Sequence, residues 1–144
     1  MRDWPWPIDE RLAALTVACG AGVAFVIDTH RVPYGCTALP WEWRSRVLSS
    51  AELALSAERR AAMRLGRPVE FARADAEPFM LSRSFASLYA LVVLWERTFD
   101  LDAARAAVGE AMPEIEALTL STPPDGPRGA AVVSLAAWRA RATG

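Results

Sequence analysis

The sequence contains no lysine: all 16 of its basic residues are arginine, set against 17 acidic residues and one histidine. The formal net charge of -1 leaves no global field to draw the chain to nucleic acid or to an anionic membrane, so neither is expected as a partner. With lysine absent throughout, an arginine at any one position carries little information about guanidinium chemistry there. Cysteine is scarce as well. Cys19 and Cys36 have no CxxC spacing and no neighbouring histidine, so they read as reduced core thiols. His30, the sole histidine, falls in a turn with no acid or nucleophile fixed near it, and reads as a solvated loop residue, not a general base. The N-terminus MRDWPWPIDE lacks the apolar core of a signal peptide, and the apolar runs end well short of a membrane span. The expectation is a soluble cytoplasmic protein.

Chemistry-bearing motifs are missing too. Gly20-Ala21-Gly22 could be taken for a nucleotide loop, but it follows a helical pattern and precedes a strand, the reverse of a phosphate cradle. It reads as a helix stop. With no nucleophile elbow and no metal-ligand cluster, the expectation is a protein that is not an enzyme, with no catalytic residue, no bound metal and no cofactor.

What is present is apolar patterning. At 144 residues and 53% hydrophobic content the chain is long enough for one domain with a sizeable core. The stretch Ser87 to Glu96, SLYALVVLWE, is apolar at both parities: Leu88, Ala90, Val92 and Leu94 alternate with Tyr89, Leu91, Val93 and Trp95. A strand of this kind has no wet face and demands packing on both sides of a sheet. Gly22 to Asp28 is a second central strand. Val32 to Leu39 returns after a turn as a weaker strand suited to an edge. Val69 to Asp75 alternates as a half-buried edge strand, and Pro78 to Ala86 leads from it into the central stretch as a meander.

Three helices complete the pattern. Asp9 is a candidate N-cap for a first helix through Cys19, with Leu12, Leu15 and one of Val17 or Cys19 inward. Trp41 to Gly66 reads as one long helix, with Val47, Leu48, Ala51, Ala54, Leu55, Ala61, Ala62 and Leu65 on its inner arc. Its outer arc carries Arg46, Leu53, Arg60, Met63 and Arg64, a mixed apolar and basic strip of the composition found at protein contacts. Asp100 is placed to cap a last helix through about Leu120, which Pro113 should kink or split near Met112. The domain layout is then an extended arm over 1–7 carrying Trp4 and Trp6, a folded domain over 8–120, a Pro/Gly linker over 121–129, and a tail over 130–144 with a short helical pattern and Trp138.

The order helix, two strands, helix, three strands, helix, together with SLYALVVLWERTFDLDAARAAVGEAMPEIEAL, resembles the Roadblock family, the dynein light chain type that includes bacterial regulators of small Ras-like GTPases. GVAFVID and its turn are similar to the family's first hairpin, although DTHRVPYG and the long approach WEWRSRVLSS depart from the usual pattern. The resemblance implies an α+β three-layer sandwich: a five-stranded antiparallel sheet of order 2-1-5-4-3 with two helices on one face and one on the other. It also implies that the third strand is an edge paired across a two-fold axis, giving a homodimer or a heterodimer with a Roadblock paralogue. The seam would then hold Val69, Phe71 and Arg73 with Leu55 from the middle helix. The paired middle helices would bind a Ras-like small GTPase through Leu53, Arg60, Met63 and Arg64. Regulators of this bacterial type act by repositioning the GTPase's own groups, so insertion of Arg60 or Arg64 into the phosphoryl-transfer site is not the expected mechanism. The alternative is an adaptor that keeps the fold, pairs with a paralogue or a polarity protein, and does not stimulate GTP hydrolysis.

Overall fold

The computed structural model describes residues 6–121 apart from Ala38. The arm carrying Trp4, the linker beyond Ser121 and the tail carrying Trp138 lie outside the described residues. The element order is α1 (Pro7–Cys19), β1 (Val23–Asp28), β2 (Pro33–Cys36), a 3-10 turn (Trp41–Trp43), α2 (Arg44–Ala54), α3 (Ala57–Arg64), β3 (Glu70–Arg73), β4 (Phe79–Phe85), β5 (Tyr89–Trp95) and α4 (Leu101–Ser121). The strands form one antiparallel sheet in the order β2-β1-β5-β4-β3.

β5 has the two-sided burial that its sequence requires. Ala90, Val92 and Leu94 join Val23, Phe25, Val47, Ala51 and Met80 in a core beneath α2 and α3. Leu91, Val93 and Trp95 join Leu12, Leu15, Leu81, Val108 and Ile115 in a second core beneath α1 and α4. Leu88 does not belong to the strand. The hairpin pairs Phe85 with Tyr89, so residues 86–88 form the turn, Ala86 and Ser87 adopt positive φ, and Leu88 is 52% exposed.

Helix ends follow local chemistry. α1 begins one turn earlier than an Asp9 cap would place it: Trp6 is the N-cap, and Asp9 sits three residues in, accepting from the Trp6 N–H at 2.9 Å. Gly20 stops it with φ 68. Gly22 has a different role, because a Cβ there would lie 2.5 Å from the Trp43 ring. The glycine pair thus ends a helix and admits an aromatic ring. Val17 faces solvent, so Cys19 is the half-buried member of that pair of candidates. Asp100 Oδ1 accepts from the Ala103 N–H at 3.1 Å and opens α4. α4 is not split by Pro113. The proline is exposed, while Val108, Ala111, Ile115 and Thr119 hold the opposite face in the core on both sides of it.

The middle helix departs most from expectation. It ends at Ala54, Leu55 leaves helical geometry, and Ser56 is extended with its Oγ accepting from the Arg59 N–H at 3.3 Å, which starts α3 as a new helix. A wheel drawn through this break loses its phase. Met63 turns inward and Ala61 and Leu65 turn outward, the reverse of the continuous-helix reading.

β5 and the turn before it give an exposure test. Leu91→Ala should lower unfolding free energy by about 2–5 kcal/mol, whereas Leu88→Ala, in the turn, should change it by no more than about 0.5 kcal/mol, as read by urea denaturation.

Candidate functional site

The two edges of the sheet differ. At β2 the Cys36 N–H points out of the sheet and donates to Asp9 Oδ1 at 2.9 Å, so the carboxylate that closes the N-terminus of α1 also occupies this edge. Asp9 is only 3% exposed. Burial first, and the Asp9 charge second, push the Cys36 thiol up to about 12. Burial also raises Cys19, so both thiols are protonated at neutral pH.

Among the described residues no side chain covers the β3 edge in this way. The Ser84 N–H donates to Val69 O at 2.8 Å, and the Val69 N–H donates to Ser84 Oγ at 2.8 Å. Antiparallel ladders alternate, so the main-chain groups of Phe71 and Arg73 also face β4 and those of Glu70 and Ala72 face outward. This is the pattern that accepts another strand.

Side chains fix β3 from both faces. On the α4 side, Glu70 Oε1 accepts from Arg83 Nη2 at 3.1 Å, and Glu70 Oε2 lies 2.9 Å from Arg105 Nε and 2.8 Å from Arg105 Nη2. Burial pushes the Glu70 carboxyl up, but hydrogen bonds and charge from Arg83 and Arg105 outweigh it and hold the group below the ordinary glutamate range. On the other side, Arg59 Nη1 donates to Leu53 O at 2.6 Å and to Ser56 Oγ at 3.2 Å, while its guanidinium carbon lies 3.9 Å from the Phe71 ring centroid. One side chain therefore ties the carbonyl end of α2, the start of α3 and the edge strand together.

The expected site residues divide. Val69 lies just before β3 and Phe71 and Arg73 lie on it, and all three are half-buried. Leu53 and Arg60 are half-buried, and Arg64 is exposed on α3. Leu55 and Met63 are corrections: at 0% and 1% exposed they fill the core beneath the sheet, and neither offers surface to a partner. For Met63 the cause is the break at Ser56, whereas Leu55 precedes the break and is buried as its place on the inner arc requires. Arg59 and the Glu70, Arg83 and Arg105 cluster escaped the sequence reading. Their partners lie 13 and 35 residues apart for the glutamate, and arginine is too common in this chain to stand out. His30 is exposed in the β1–β2 turn, where its backbone N–H donates to Asp28 Oδ1 at 2.8 Å. Among the described residues no group of His, Cys, Asp and Glu could hold a metal ion, and no helix is long and apolar enough to cross a membrane.

A five-stranded antiparallel sheet of order 2-1-5-4-3, with α1 and α4 on one face and the α2–α3 layer on the other, is the Roadblock-type α+β fold. Among solved structures the chain is similar to Myxococcus xanthus MglB, with a TM-score of 0.58 over 83% of this chain and 99% of that chain at 18% identity. No protein-family model and no curated sequence matches it.

The Glu70 cluster sets a pH dependence. A carboxyl held below its ordinary pKa stabilises the fold above that pKa, and the contribution disappears as pH falls through the lowered value. Glu70→Gln should cost about 0.2–1 kcal/mol at pH 7 in urea denaturation, and the gap to wild type should narrow as pH falls through and below the ordinary glutamate range. A gap constant from pH 7 to pH 3 would remove this role from Glu70.

Proposed function

We propose that the chain is a non-catalytic, dimeric regulator of a Ras-like small GTPase. The observation that carries this reading is the fold: the sheet order, the layering and the near-complete coverage of MglB, together with the resemblance of the sequence to a family that includes GTPase regulators. Dimerisation is supported by the contrast between the edges, one occupied by Asp9 and the other offering the outward groups of Glu70 and Ala72. A second copy, or a Roadblock paralogue, added antiparallel at β3 continues the sheet and sets the two α2–α3 layers side by side. The GTPase then meets a surface that contains Leu53, Arg60 and Arg64. Catalysis remains with the GTPase, whose own groups the dimer repositions.

The broken middle helix supports the adaptor as a second reading. With Met63 in the core, the apolar part of the expected strip is reduced to Leu53, and a chain can keep the paired fold without engaging a GTPase productively. Mixing the protein with its cognate GTPase, loaded with either nucleotide, separates the readings. The regulator binds one nucleotide state saturably and changes the hydrolysis rate, the adaptor binds a paralogue with no change in rate, and absence of GTPase binding in both states would contradict the regulator.

The edge itself is tested by Ala72→Pro. The lost N–H is one that faces away from β4, so the fold should survive, as judged by circular dichroism, while light scattering should show a monomer. A dimer that persists in this variant would place the two-fold contact elsewhere.

A further inference from the structure

Two of the exposed large hydrophobic residues share one end of the molecule. α3 closes on Gly66 at φ 78, with the Gly66 N–H donating to Met63 O at 2.9 Å and the Arg67 N–H to Ala62 O at 3.3 Å. This closure leaves Leu65 71% exposed. Beside it lies the β4–β5 hairpin, close enough that a Cβ on Gly66 would sit 3.9 Å from Ser87 Oγ. The hairpin turn presents Leu88, and it does so through Ala86 and Ser87 at φ 53 and 64, a conformation that residues with a Cβ adopt rarely and at a cost.

Arginines lie beside Leu65, and the carboxylate next to the hairpin, Asp28 opposite Tyr89, is already engaged by the His30 and Val32 N–H groups. Arg64 and Arg67 are exposed, Arg60 is half-buried, and none of the three forms an ion pair among the described residues. The Arg60 Nε is buried without a hydrogen-bond partner. Neither residues 59–69 nor residues 84–90 contain a carboxylate. A single exposed leucine is ordinary surface. Two from different elements, flanked on the α3 side by guanidinium groups without an ion pair, have the composition of a contact with an apolar centre and a cationic rim on one side.

We infer that this end of the molecule docks an acidic surface segment of the GTPase, with one apolar side chain seated between Leu65 and Leu88 and carboxylates facing Arg64 and Arg67. The inference rests on the regulator reading and relocates its contact, from the outer arc of a continuous helix to the end of α3 and the adjoining hairpin. A second copy is a poorer occupant, because a two-fold apposition of this patch sets its arginines against each other. Nucleic acid fits less well, since the overall charge is -1 and the exposed centre is formed by two leucines.

The test is binding kinetics of the full chain against its cognate GTPase, for wild type, Leu65→Ser with Leu88→Ser, and Arg64→Glu with Arg67→Glu. All four positions are exposed, and thermal melting checks that the fold is kept. The serine variant should dissociate about tenfold faster or more, because apolar anchors act on residence time. The glutamate variant should associate about tenfold more slowly at low salt, with the difference narrowing at high salt. If wild type binds and both variants bind identically to it, this inference is overturned and the regulator reading stands. If wild type does not bind, both fall. Loss of self-association in the serine variant would make a second copy the occupant and would also overturn the inference.

Discussion

Everything in this molecule is arranged around a strand without a wet face. β5 buries Leu91, Val93 and Trp95 on one side and Ala90, Val92 and Leu94 on the other, so helical layers on both faces are an energetic requirement of the sequence. α1 and α4 cover one side. The other is covered by a helix in two pieces, and the break between them decides which residues reach the surface. Arg59 stabilises the break by donating to Leu53 O and lying over Phe71, so the local geometry of α2 and α3 is fixed to the edge strand.

A sheet covered on both faces still has two edges, and here they are treated differently. Asp9 occupies the β2 edge by accepting from Cys36 N–H, and the same carboxylate closes the first turn of α1. β3 is held from behind by the Glu70, Arg83 and Arg105 cluster, which keeps its outward main-chain groups in strand geometry. A short edge bearing charge is normally a defence against pairing. In β3 the glutamate is neutralised by two arginines on the α4 side, which lowers that barrier for a partner strand.

Much of this was legible in the sequence, and the exceptions share a cause. Both central strands, the meander, the Asp100 cap and the half-buried third strand follow from parity and turn chemistry, which are local. The order of the strands came with the family resemblance, since antiparallel pairing between β1 and β5 joins residues too distant for any local pattern. The middle helix misled because wheel analysis assumes one continuous axis; the Ser56 cap was the available signal, and it moves Met63 inward and Leu65 outward. Leu88 was misplaced because a run of apolar letters does not show where a hairpin turn consumes residues. Asp9 was assigned to a cap, but its second bond, to an edge strand 27 residues away, exists only in three dimensions.

The proposed function lies on surfaces, and it depends first on β3 being a pairing edge. Amide hydrogen exchange at Glu70 and Ala72 tests this most directly. The N–H groups of these residues face away from β4, so in a lone chain they should exchange as fast as exposed backbone. On pairing they should become protected, with protection rising with protein concentration, while Phe71 stays protected at all concentrations by its bond to β4. Fast exchange at Glu70 and Ala72 that is independent of concentration, in a sample shown to be dimeric, would contradict the claim.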